Sequence, residues 1–189
     1  YLKRVERENK DFEDGGGRNT SDPPVLSPEG EELVGYALAK EKFLQSCAGY
    51  TVATFVLGIG DRHNDNIMLK RTGELFHIDF GYIFGRDPKW NAPVIRLTKS
   101  MLEAMGGPQS QNYRLFLELC AQAYNILRHH ATLILNLLNL MVDANIEGVT
   151  KDDLFTVKDR FLLDRSDEEA ERYLLQLLRN SVRGLDALW

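Results

Sequence analysis

Cysteine is scarce in this chain: Cys47 and Cys120 are the only two among 189 residues. Neither has a partner at metal-site or redox-motif spacing. A disulfide framework and a thiolate metal site are therefore excluded, and both residues are expected to be buried thiols in a reducing compartment. Long hydrophobic runs are also missing. None approaches the ~20 residues that cross a bilayer, and no charged-then-apolar leader is expected at the front. Positive charge is outweighed, with 23 Lys and Arg against 28 Asp and Glu and a formal net charge of −5. That excludes bulk electrostatic attraction to nucleic acid. Attraction to anionic lipid would need a local basic patch or another segment. The remaining composition, 43% hydrophobic and 27% charged, suits one sizeable core.

The most informative stretch runs from Gly58 to Gly81. Asp61-Arg62-His63 sits in a Gly-flanked loop, Asn66 follows, and Asp79-Phe80-Gly81 closes the stretch. Ile67-Met68-Leu69 and Leu75-Phe76-His77-Ile78 read as two short strands, with Thr72-Gly73 as the turn between them. Such a hairpin brings Asn66 and Asp79 to one end, side by side. Phosphoryl transfer needs metal to neutralise charge on phosphate oxygens and a polar group to orient the attacking hydroxyl. Mg²⁺ takes hard oxygen ligands, often only one or two from protein. An amide oxygen at Asn66 and a carboxylate at Asp79 fit that need. Protein kinases write their catalytic loop His-Arg-Asp, four residues, Asn. Here the triplet is reversed, but the spacing from Asp61 to Asn66 is the same.

The rest of the chain is expected to be mostly helical. Tyr1 to Asn9 reads as a charged, partly helical segment, and Asp11 to Pro28 as a loop broken by Gly15-Gly16-Gly17 and Asp22-Pro23-Pro24. Ser27 caps a helix with Pro28 at its first position. Its apolar face runs through Leu33, Val34, Ala37, Leu38, Phe43, Leu44, Cys47 and Ala48, and Gly35 weakens its middle. Tyr50 to Leu57 is apolar all round and ends at Gly58. The irregular stretch from Tyr82 to Pro93 is long enough to be functional. Thr98 caps a short helix stopped by Gly106-Gly107-Pro108, and Ser110 caps the next. Leu133 to Val142 reads as a core helix, Lys151 to Phe161 as a short one. Ser166 and Glu169 form a capping box for the last. His129-His130 is expected at the surface. Asp143 to Gly148 resembles the start of an EF-hand loop, but Lys151 and Leu154 occupy the ninth and closing positions, and calcium is rejected.

Gly-Asp-Arg-His at 60–63, Asn66 and His-Ile-Asp-Phe-Gly at 77–81 together resemble the phosphatidylinositol 3-/4-kinase superfamily, which includes the large lipid-kinase-like protein kinases. Within it, Ser46 to Tyr50, Phe80 to Lys89, Met105-Gly106-Gly107, Leu140 to Ile146 and Ser166 to Ala170 look like the class III phosphatidylinositol 3-kinases of the vacuolar-sorting type. The resemblance implies an α+β, mostly helical fold: a protein-kinase-like C-terminal lobe with a short β-hairpin carrying the catalytic and metal residues. Residues 1–28 would be a partial helix and loop. Residues 29–189 would be the lobe, with a catalytic loop at 58–66 and an activation loop at 79–98. An N-terminal lobe and most of a final amphipathic helix would lie elsewhere, since the chain starts at Tyr1 and stops at Trp189. Alone it is expected to be nearly inactive.

The implied reaction is transfer of the ATP γ-phosphate to the inositol 3-hydroxyl of phosphatidylinositol, serving endosomal, vacuolar and autophagic membranes. The alternatives are a phosphatidylinositol 4-kinase and a catalytically silent kinase-like binding module. ATP and Mg²⁺ (or Mn²⁺) are the implied cofactors, with Asn66 and Asp79 as metal ligands and Met68 and Ile78 as adenine-pocket floor or plain strand core. Asp61 matches the protein-kinase base by spacing. His63 is the residue this family is thought to use, and an ordinary imidazole pKa of about 6.5 suits that role. Arg62 is expected to brace the loop, and His77 to be structural. Between Tyr82 and Pro93 only Arg86 and Lys89 are basic, with Asp87 between them, which suits a lipid bearing one phosphodiester. Trp90 stands where relatives are proline-rich and reads either as a membrane-facing anchor or as packed on the loop. Implied partners are phosphatidylinositol in membranes, the N-terminal lobe, a pseudokinase-like regulatory subunit and a beclin-type subunit.

Overall fold

The computed structural model describes residues 28–144, 146 and 148–186. The expected segment at 1–9, the loop up to Ser27 and the Ser27 cap lie outside the described residues. Six α-helices, a 3₁₀ turn at Asn64–Asn66 and one two-stranded antiparallel sheet make up the regular structure among the described residues. Helix α1 spans Pro28–Leu57, α2 Lys99–Ala104, α3 Gln111–His129, α4 Ala131–Asp143, α5 Lys151–Arg160 and α6 Asp167–Asp186. Strand β1 is Ile67–Leu69 and β2 is Leu75–His77, paired Ile67 to His77 and Leu69 to Leu75. No described helix is long and apolar enough to cross a membrane.

Helix α1 is continuous for 30 residues. Gly35 and Gly49 do not break it; each costs helix propensity only, about 1 kcal/mol. Leu44, Cys47, Val52, Phe55 and Val56 are buried, and α3 packs along them through Phe116, Cys120 and Tyr124. The Phe55 and Tyr124 rings meet edge to face at 5.6 Å. Leu38, expected on the buried face, is instead half exposed.

The helix ends as Gly58 predicts. At φ 61° Gly58 adopts the left-handed conformation. Its N–H donates to the Phe55 carbonyl at 3.2 Å, and the Ile59 N–H donates to Thr54 at 2.9 Å, the paired bonds of a Schellman stop. Thr98 and Ser110 cap α2 and α3 as expected. Ser166 and Glu169 bond reciprocally at 3.1 and 3.2 Å.

The expected core helix at 133–142 is overturned. Helix α4 is peripheral, not core: Leu133, Leu137 and Leu140 are all more than half exposed, and Ala131 is its buried residue. Its apolar sequence marks a face that water does not favour, but the other described helices do not cover that face. His129 and His130 lie at the surface, and His129 Nε2 pairs with Asp167 at 2.8 Å.

Candidate active site

The hairpin is mounted on α1. Ser46 Oγ accepts the Leu75 N–H at 2.9 Å, and Lys42 pairs with Glu74 at 3.0 Å. The turn itself presses against the helix: a β-carbon on Gly73, at φ 103°, would lie 2.0 Å from the Ala39 carbonyl oxygen. The strand pairing continues one step past the sheet, where the Ile78 N–H donates to the Asn66 carbonyl at 3.0 Å. That bond brings the backbone of Asn66 beside Ile78, one residue before Asp79.

Loop backbone does the rest of the positioning. The Gly60 N–H donates to Tyr82 at 2.9 Å, Phe84 N–H to Leu57 at 2.9 Å and Gly85 N–H to Gly58 at 2.7 Å. The two segments are so close that a β-carbon on Gly58 would sit 2.3 Å from the Gly85 nitrogen. Of the four described non-glycine residues at positive φ, three are here: Asp61 at 55°, Asp79 at 59° and Phe84 at 60°. Asp tolerates that conformation; Phe does not readily. Such strain persists where surrounding bonds over-determine it, and it clusters at functional sites.

Arg62 is the brace the sequence predicts. It is buried. Its Nε donates to the Gly60 carbonyl at 2.6 Å, Nη1 to Ile78 at 2.9 Å and Nη2 to Asp79, and it stacks over the Phe80 ring at 5.5 Å. Burial works to lower its pKa, while Asp61, Asp79 and Asp87 nearby act to raise it. His77, beneath the loop, is buried against Tyr50 at 5.3 Å. Burial first, and then the Arg62 charge, push its pKa down to about 4. It is neutral at physiological pH and structural, as expected.

The side chains left for chemistry are few. Asn66 is buried, and its Nδ2 donates to the Asp61 carbonyl at 2.8 Å. That bond turns the amide so that Oδ1 is its free end. Asp79 is exposed, and its Oδ1 accepts the Gly81 N–H at 3.2 Å. His63 lies between two carboxylates, with Nε2 3.6 Å from Asp61 Oδ2 and Nδ1 3.7 Å from Asp65 Oδ2. Both separations exceed hydrogen-bond length. Met68 and Ile78 are 46% and 38% exposed, so they are not strand core in this chain. Trp90 is 98% exposed and does not pack on its loop.

Two residues differ from the sequence reading. The Arg86 guanidinium, expected to meet substrate, is committed to Asp153 and to the Gly148 carbonyl, each at 2.8 Å. Asp87, to which no role was assigned, accepts the Asp61 N–H through Oδ2 at 2.8 Å. Its position two residues after Gly85 was the available signal. Asp61, Arg86, Lys89 and Arg96 all line a cleft of about 400 Å³ between the loop after Gly58 and the stretch after Gly81.

Residues 25–149 match the family described as phosphatidylinositol 3- and 4-kinase. That is well over half of the chain, and the chain belongs to this family. Among curated proteins it is similar to phosphatidylinositol 3-kinase, root isoform, of Glycine max, at 47% identity over 152 residues, 79% of this chain and 19% of that protein. It is similar also to phosphatidylinositol 3-kinase VPS34 of Saccharomyces cerevisiae, at 45% over 148 residues, 77% of this chain and 17% of that protein. Phosphatidylinositol 3-kinase catalytic subunit type 3 of Caenorhabditis elegans is 40% identical over 151 residues, 78% of this chain and 17% of that protein. The chain thus spans under a fifth of the length of these relatives.

Proposed function

We propose that this chain is the C-terminal lobe of a class III phosphatidylinositol 3-kinase, which transfers the γ-phosphoryl group of ATP to the inositol 3-hydroxyl of phosphatidylinositol. The observation that carries the reading is the Asn66–Ile78 backbone bond. It sets the free amide oxygen of Asn66 and the exposed carboxylate of Asp79 at one end of one hairpin. Two hard oxygen donors of this kind fit Mg²⁺, and Asn66 and Asp79 would hold it. The ion, when bound, supplies charge neutralisation at the phosphate oxygens.

The chain's own groups supply orientation. Arg62 fixes the loop through carbonyls, so the Asp61 and Asp79 carboxylates stay uncommitted to it. His63, with Nε2 3.6 Å from Asp61 Oδ2, is the group that would take the hydroxyl proton. Asp61 serves in this reading as its electrostatic partner. A loose transition state asks little of a base, so positioning carries most of the effect. Met68 and Ile78 present an apolar floor for adenine that an N-terminal lobe would cover. Lys89 and Arg96 give the cleft positive charge for one phosphodiester. Trp90 is the membrane-facing anchor of the two readings considered. The setting would be endosomal, vacuolar or autophagic membranes, with pseudokinase-like and beclin-type subunits as partners.

The test is product analysis for the whole kinase carrying this chain, on mixed phosphoinositide vesicles, beside Asp79→Asn. Phosphatidylinositol 3-phosphate alone, lost in the variant, is expected. A 4-phosphate product would establish the 4-kinase reading instead. ATP–Mg²⁺ binding without any product would favour the silent binding module.

A further inference from the structure

Arg86 and Asp87 are neighbours that bind different partners. Asp87 turns back to the catalytic loop, where Oδ2 holds the Asp61 N–H and Oδ1 accepts the Lys89 N–H, both at 2.8 Å. Arg86, which also lines the cleft, has its Nη2 donating to both carboxylate oxygens of Asp153 on α5 at 2.8 Å. Asp153 is 6% exposed. It also accepts the Thr150 N–H at 2.7 Å and the Thr150 hydroxyl at 2.8 Å. Burial disfavours its charged form, but the Thr150 donors and Arg86 outweigh this and hold its carboxyl below the usual range. A carboxylate bound on that many sides has one position, and the guanidinium is oriented by two points, Nη2 on Asp153 and Nη1 on the Gly148 carbonyl at 2.8 Å.

The loop beyond is fixed at its far end too, where the Leu97 N–H donates to Ser181 Oγ on α6 at 3.1 Å. Between these ends lie the fully exposed Trp90 and the Lys89–Arg96 side of the cleft. The near anchor is thus Asp153, 67 positions away from Arg86 in sequence. Its hydrogen bonds go to Arg86 and Thr150, not to Asp61, His63, Asn66 or Asp79.

We infer that Asp153 is a positioning residue for the lipid substrate: through Arg86 it holds the root of the activation loop, and through the adjoining Asp87 it sets the backbone of Asp61. This rests on the lipid-kinase reading above. The ATP-facing hairpin is mounted separately on α1, so the effect falls on the lipid side of the reaction.

The experiment compares Asp153→Asn, Arg86→Met and the double variant in the whole kinase, with KM determined separately for phosphatidylinositol in vesicles and for ATP. The side-chain amide of D153N retains an oxygen for Thr150. R86M leaves the start of α5 untouched and carries the test alone if D153N does not fold. Each single variant is expected to raise KM for phosphatidylinositol, and so lower kcat/KM for it, about tenfold or more. KM for ATP should stay unchanged, and the double variant should be no worse than the worse single one. A lower kcat with both KM values unchanged would reduce Asp153 to a structural role and overturn the inference. So would additive losses, or no loss. If the wild-type kinase makes no phosphatidylinositol 3-phosphate, it is the functional reading that fails.

Discussion

Two buried arginines hold two irregular parts of this molecule, and they do it differently. Arg62 braces the loop after Gly58 through the carbonyls of Gly60, Ile78 and Asp79. Arg128 braces the junction between α5 and α6 through the carbonyls of Phe161, Leu162, Arg165 and Ser166. Both answer the same need, since loop carbonyls taken from water must find donors, and a planar five-donor cation satisfies several at once. The difference is the counter-ion. Arg128 pairs directly with the Asp167 carboxylate at 2.8 Å. Arg62 sits among Asp61, Asp79 and Asp87 yet binds Asp79 through its carbonyl. A structural brace neutralises itself, whereas the brace at the site leaves its acids available.

The largest expected effect breaks the site side of this comparison. Asp79→Asn should cost about a thousandfold or more in phosphoryl transfer and change folding stability by less than about 0.5 kcal/mol, because the side chain is exposed with only one weak acceptor role. Kinase assay and urea denaturation read the two numbers. Arg128→Met should do the reverse. Stranding four carbonyls and Asp167 is expected to destabilise by about 3–5 kcal/mol. In any variant that still folds, turnover per folded molecule should be little changed. Arg62→Met sharpens the contrast, since it should lower both stability and turnover; loss of stability alone would mean that the acids do not depend on their brace.

A smaller effect is pH-dependent. His77 has its pKa lowered from 6.5 to about 4 in the folded chain, so the unfolded chain binds more protons between those values. Its contribution to stability is full above pH 6.5 and is lost as pH falls toward 4, roughly 3 kcal/mol in all. Urea unfolding at pH 7 and pH 4.5 should show a smaller drop for His77→Gln than for wild type. An equal drop would mean that His77 is not the group responsible. The smallest effect is at Trp90. Trp90→Ala should leave stability within about 0.5 kcal/mol but weaken vesicle binding in co-sedimentation; unchanged binding would remove the anchor reading.

Local signals were legible and distant ones were not. Gly58, Thr98, Ser110 and the Ser166–Glu169 pair act within a few residues of themselves, so their roles could be read from spacing. Asn66 and Asp79 were joined by a hairpin whose turn and strands are equally local. The partner of Arg86 was not legible because it is on a helix 67 positions downstream, and charge in a loop carries no mark of what it pairs with. Leu133, Leu137 and Leu140 mislead for a related reason: periodicity shows that a face is apolar, not that this chain covers it.

The two cysteines acquire a practical meaning. Cys47 and Cys120 are buried, and burial lifts the Cys47 thiol to about 12 and Cys120 well above its ordinary value. At neutral pH neither presents a thiolate to a surface reagent. For maleimide chemistry this chain is silent, so a cysteine introduced at position 90 would give a label in it without native background. A fluorophore there would report, by its spectrum, whether the loop tip meets lipid.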